Sequence, residues 1–97
     1  MSKYGNVVRF KVKAEFVDQF VQVFETRENY EGMRGHMLIK TGDQSFCVVG
    51  VWESENAIAA ARPEMIAFLD SMRHMLEEIS PELGVTDPVS GPVVSER

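Results

Sequence analysis

Four side chains in this sequence carry a reactive or binding group at a position that could face a pocket: Asn6, Arg27 and Trp52, which the local pattern turns inward, and His36, on a strand whose inward side stays open. Asn6 falls in phase with Val8, Phe10 and Val12, the apolar side of an alternating run whose other side carries Arg9, Lys11 and Lys13. Its amide can hold the oxyanion of a phenolate, or dioxygen beside it. The plainer use is a strand-start residue bonding to loop backbone. His36 is the histidine placed to reach a pocket, where imidazole serves as a base near neutral pH; the plainer use is a satisfied strand histidine. Leu38 and Lys40 share its side of the strand and Met37 and Ile39 take the other, which leaves open the side that meets the helices. His74 lies about 200° round a helix from Met72 and reads as exposed.

Arg27 continues a helical stripe of Phe16, Phe20, Val23 and Phe24. It reads either as a snorkelling arginine near a helix C-terminus or as a cation at a pocket rim, suited to an anionic or phenolic ligand. Trp52 ends an apolar strand where Ser54 begins a helix, so it stands at the edge of a sheet–helix cleft. It serves as a core aromatic or as a stacking wall for a planar ring. Phe10, Phe24, Met65, Phe68 and Met72, with Met33, Met37 and Met75, supply a soft apolar lining or plain core. Ala61 leaves room beside them.

The elements that must position these groups follow from periodicity. Val7–Lys13 alternates as a first strand that extends back through Asn6 to Tyr4, and Glu15 to about Asn29 has helical spacing with Glu15 and Asp18 in its first turn. Glu31–Gly35 is a break. His36–Thr41 and Ser45–Glu53 form a hairpin around Gly42-Asp43-Gln44, the second strand being central. A second helix runs from Ser54 to about Ser80, with a break or restart at Pro63. Its stripe is Met65, Phe68, Leu69, Met72, Leu76 and Ile79. Gly84–Val94 is a last strand confined to an edge by Pro88 and Pro92. The order β-α-β-β-α-β is the ferredoxin-like α+β sandwich. Both helices cover one sheet face, and a second copy is the natural cover for the other. We expect a homodimer packed sheet to sheet, with acidic groups meeting Arg9, Lys11 and Lys13.

Composition narrows the classes. At 97 residues the chain is one domain, 1–97, with a thin core that oligomerisation would supplement. Ten Lys+Arg against 15 Asp+Glu, with no basic run, argue against a nucleic-acid partner. Cys47 is single and sits in an apolar strand, so it reads as a small buried hydrophobe. Met1-Ser-Lys-Tyr-Gly lacks the apolar segment of a signal peptide, and no apolar run reaches the roughly 20 residues of a membrane span, so a cytoplasmic protein with no membrane partner is expected. Neither metal-ligand spacing, a Gly-rich phosphate loop nor a Gly-x-Ser-x-Gly elbow is present. Lys11-Val-Lys-Ala-Glu15 is not the phosphate loop of an acylphosphatase, which shares the topology.

The element order, the length, Trp52-Glu-Ser-Glu after the third strand and the tail Thr86-Asp-Pro-Val-Ser-Gly91-Pro-Val-Val94 resemble the antibiotic biosynthesis monooxygenase domain, of the dimeric α+β barrel superfamily. The resemblance covers nearly the whole chain. It implies a homodimer and one of several activities: cofactor-free oxygenation of aromatic polyketides, quinol oxidation or haem degradation. The haem-degrading branch uses a strand-1 Asn, which Asn6 matches, and a Trp and a His on the second helix, where Ala61 and the region of Ser71 stand instead. The expected function is a cofactor-independent monooxygenase or quinol oxidase for a small electron-rich aromatic. Asn6 and His36 are its catalytic candidates, and Phe10, Phe24, Arg27, Trp52, Met65, Phe68 and Met72 its substrate contacts, with no metal. The alternative is a non-catalytic small-ligand-binding or stress-related homodimer of the same fold.

Overall fold

A computed structural model describes residues 3–97. Met1 and Ser2, part of the stretch read for a targeting signal, lie outside the described residues. The elements are β1 (Tyr4–Val12), α1 (Val17–Thr26), β2 (Met33–Lys40), β3 (Ser45–Trp52), α2 (Glu55–Met72), β4 (Leu76–Glu77) and β5 (Thr86–Pro92), with short 3-10 turns before α1 and after α2. The sheet is antiparallel throughout, in the order β2-β3-β1, with β4 and β5 pairing successive stretches of the far side of β1. This is the ferredoxin-like α+β fold.

Alternation divides the sheet into two faces. Asn6, Phe10 and Val12 of β1 and Phe46, Val48, Gly50 and Trp52 of β3 are buried on the helix side. The aromatic centre of the core is Phe10, Phe20, Phe24 and Phe46, with ring centroids 5.0–6.5 Å apart. The opposite face carries the cross-strand row Met37–Val49–Val7–Val89.

Local chemistry accounts for several boundaries. Ser54 caps α2, accepting the Ala57 N–H at 3.2 Å. Pro63 does not interrupt α2. It and Ala59, whose carbonyl loses its helical donor, are both exposed, so water can replace the missing bond. Val93 N–H donates to the Lys3 carbonyl at 2.9 Å. By alternation the odd residues of β5 then point their N–H groups at β1, while Pro88 and Pro92, which have no N–H to donate, turn their nitrogens to the open edge.

Three expectations are corrected. The second helix stops at Met72 rather than near Ser80. Beyond it Leu76 and Glu77 pair with Val12 and Lys11, and Lys13 N–H donates to the Met75 carbonyl at 2.8 Å. Pairing with the end of β1 overrides the helical spacing of Leu76 and Ile79. The first helix ends at Thr26, so Arg27, with ψ 150°, is its extended cap and not a stripe residue. Finally, the basic residues of β1 meet acids of their own chain. Arg9 is bonded twice to Asp87, one bond being Nε to Oδ2 at 2.7 Å, and Lys11 lies 4.0 Å from Glu77. The registers Arg9↔Asp87 and Lys11↔Glu77 make these pairs cross-strand neighbours.

Candidate functional site

Between the sheet and the two helices lies a cavity of about 470 Å³, within the usual range for small-ligand sites. Asn6, Phe10, Phe24, Arg27, His36, Met65, Phe68 and Met72 all line it. Strand parity brings Asn6 in from β1 and His36 in from β2, which settles the side that His36 takes. The register Asn6↔Gly50↔His36 puts both on one row, with Gly50 between them, and Ser90 continues the row on β5. The neighbouring inward positions, Val8 and Val48, are apolar, so this row is a polar strip across the floor of the cavity. Two strand spacings separate the backbones of Asn6 and His36 by about 10 Å, room for an aromatic ring to approach both.

Asn6 is 7% exposed. Its Oδ1 accepts the Trp52 indole N–H at 2.8 Å. An indole nitrogen can only donate, so this contact fixes the amide's orientation: the carbonyl faces Trp52 and the NH₂ is the end left free. Among the described residues no acceptor bonds that NH₂. Gly50 is part of the arrangement, because a Cβ there would stand 2.5 Å from Asn6 Oδ1 and 3.2 Å from Trp52 Nε1.

Trp52 is the site expectation that the geometry corrects. It is 0% exposed and does not line the cavity. Its ring stacks on Tyr30 at 6.0 Å and 15°, within a cluster with Ile58 and Ala61. No face is left for a ligand; Trp52 acts on the site through Asn6.

His36 stacks on Phe24 at 5.7 Å and 9°. Burial, with the nearby Arg27 charge adding to it, holds the pKa of His36 below the ordinary 6.5. The imidazole is therefore neutral at pH 7 and able to accept a proton. Arg27 Cζ lies 3.8 Å from the Phe68 ring centre and 4.3 Å from that of Tyr30. Phe68 in turn meets Phe24 edge-on at 5.4 Å. These contacts close a girdle: Asn6, Trp52, Tyr30, Arg27, Phe68, Phe24 and His36, returning to Asn6 across Gly50. Two members, Tyr30 and Gly50, were not singled out from sequence. A lone glycine inside an apolar strand is the signal that marks a close approach; Tyr30 sits in a loop without periodicity and gave none. The Tyr30 hydroxyl is buried without a hydrogen-bond partner among the described residues. No group of three His, Cys, Asp or Glu among the described residues converges in a way that would hold a metal ion.

The family model for antibiotic biosynthesis monooxygenase matches residues 4–70. The chain belongs to the antibiotic biosynthesis monooxygenase family. That match spans β1 through most of α2 and includes Asn6, Arg27, His36 and Trp52. No curated protein sequence matches the chain. Solved structures share its fold along nearly the whole length. SnoaB, a cofactor-independent oxygenase from Streptomyces nogalater, is 20% identical with a TM-score of 0.69, covering 99% of this chain and 97% of that one. The NE2512 protein of unknown function from Nitrosomonas europaea is 18% identical with a TM-score of 0.73, covering 100% and 94%. A dimeric ferredoxin-like protein from an uncultured marine organism is 12% identical with a TM-score of 0.71, covering 100% and 92%. At these identities the likeness speaks to fold.

Proposed function

We propose that this protein is a cofactor-independent oxygenase or quinol oxidase for a small electron-rich aromatic. The observation that carries the reading is the polar strip: one oriented amide NH₂ and one neutral imidazole facing the same cavity from one row of the sheet, beside the apolar Val8 and Val48. His36 takes the proton of a phenolic or quinol hydroxyl, or of an activated C–H. Asn6 donates to the oxyanion so formed, where a dry surrounding makes a preorganised donor most effective. The anion then supplies electrons to dioxygen. A quinol gives up two electrons and two protons, yielding quinone and hydrogen peroxide. A methylene between aromatic rings takes one oxygen atom as a carbonyl and releases the other as water. Family membership and the likeness to a cofactor-independent oxygenase support this reading.

The protein works as a homodimer closed through its uncovered sheet face. Met37 and Val89, at the ends of the apolar row, are 58% and 62% exposed in the single chain, a contiguous apolar surface of the kind that partners cover. Arg9 and Lys11, at the margin of that row, are paired within the chain to Asp87 and Glu77, so neither brings an unpaired charge to the packing. A relative of the same fold is dimeric, which supports the reading.

The test is oxygen consumption by metal-stripped protein over a panel of quinols, naphthols and anthrones. The expected result is uptake above the spontaneous rate for at least one member, with quinone or ketone formed in proportion. Thermal stabilisation by a panel member without uptake would assign the cavity to ligand binding instead.

A further inference from the structure

The charge balance of the chain is inverted inside the cavity. The sequence carries ten Lys+Arg and 15 Asp+Glu, net charge -5. Yet the charged side chains that line the cavity are Arg27 and Arg62, with Glu28 as the one carboxylate. Lys3, Arg9, Lys11, Arg34 and Arg73 have acidic partners; Lys13, Arg27, Lys40, Arg62 and Arg97 have none among the described residues, and of these Arg27 and Arg62 line the cavity. A chain rich in acids thus presents two arginines without acidic partners to a cavity of ligand size.

Arg27 is also held unlike a surface arginine. The Phe68 and Tyr30 rings lie against its guanidinium, and stacking of that kind leaves the edge of the group, a planar fork of N–H donors, for hydrogen bonding. Such a fork matches the two oxygens of a carboxylate in a bidentate pair, which a single phenolate oxygen cannot do. Round the girdle of contacts Arg27 stands midway, reached through Trp52 and Tyr30 from Asn6 and through Phe24 and Phe68 from His36. Arg27 thus stands off the sheet row of Asn6 and His36, at the end of α1 against Phe68 of α2, though its charge is felt at His36, and a second anionic group on the ligand is what it suits.

We propose that the ligand is a hydroxylated aromatic acid, with its hydroxyl-bearing end at Asn6 and His36, its carboxylate on the Arg27 fork, and Arg62 adding positive charge. The proposal rests on the cavity being a ligand site, as argued above, and not on turnover. The test is calorimetric binding of two redox-stable probes, 6-hydroxy-2-naphthoate, whose hydroxyl and carboxylate stand at opposite ends of the ring system, and 2-naphthol, to wild type, Arg27→Gln, Arg27→Lys and Arg62→Gln. Wild type should bind the acid at least about tenfold more tightly, the usual return of a charge-assisted pair. Arg27→Gln should abolish that preference with the naphthol Kd unchanged within about twofold; Arg27→Lys, which keeps the charge without the fork, and Arg62→Gln should each retain part of it. Equal affinities in wild type, or a preference that survives Arg27→Gln, overturn the carboxylate subsite and leave the aromatic site standing. If neither probe binds wild type, both readings fall together. Arg62 is exposed on α2, so its variant reports on charge even if Arg27→Gln folds poorly.

Discussion

The amide of Asn6 is useful only because it cannot turn over. Replacing Trp52 with Phe keeps a ring against Tyr30 but removes the indole donor. The account predicts a cost of about 1–3 kcal/mol from the unpaired buried carbonyl, together with a fall in kcat larger than any rise in KM, read by thermal unfolding and steady-state rates. Gly50→Ala would press a methyl group on the same amide and should lower both stability and rate. His36 gives a pH signature. The unfolded chain titrates there near 6.5, while the folded protein resists protonation to a lower pH. Stability should therefore hold above that value and decline as the pH falls below it, until the folded-state pKa is passed. His36→Gln should flatten that part of the Tm–pH curve. In wild type, kcat/KM should rise with pH through an apparent pKa below 6.5, and the variant should lose that limb. Asn6 was legible in the sequence as a type and a parity, His36 as a type alone. The partner of Asn6 was not, because Trp52 lies on another strand and only the register of β1 with β3 brings the two together.

At the scale of elements, the order and most boundaries followed from periods of 2 and 3.6. The overlong second helix and the unforeseen partners of Arg9 and Lys11 share one physical cause, long-range pairing. The spacing of Leu76 and Ile79 continues a helical stripe, yet Leu76 joins β1 because β1 offers unpaired backbone beyond the reach of β5. β2 resisted a choice of face because both of its faces are apolar: Leu38 packs on the core while Met37 and Ile39 point out, at 58% and 42% exposure. Two apolar faces on β2 are what the proposed dimer would require. The turn into β2 depends on Gly32, whose φ is +84° and whose missing Cβ would stand 2.7 Å from that of Ala57 at the start of α2. Gly32→Ala should cost about 1–3 kcal/mol of stability, through both the φ strain and the clash, measured by denaturant unfolding. Its effect should reach the site, since the adjoining loop carries Tyr30 and Arg27.

For the whole molecule, the outer sheet face and the cavity lie on opposite sides of one sheet, so assembly and chemistry can be separated experimentally. Val49, at the centre of the row Met37–Val49–Val7–Val89, faces away from the cavity. Val49→Glu should convert a dimer of 11.0 kDa chains into monomers, as seen by sedimentation velocity. A wild-type protein that is monomeric at micromolar concentration would contradict the proposed assembly. The family and the fold were within reach of the sequence; the reaction rests on a cavity that only the folded chain assembles. The most direct measurement is the initial rate of oxygen uptake by metal-stripped wild type, Asn6→Ala and Trp52→Phe with the best quinol or anthrone of the panel. The account predicts turnover in wild type, a loss of about 100- to 1000-fold in Asn6→Ala, and an intermediate loss in Trp52→Phe. Turnover undiminished in Asn6→Ala would contradict it.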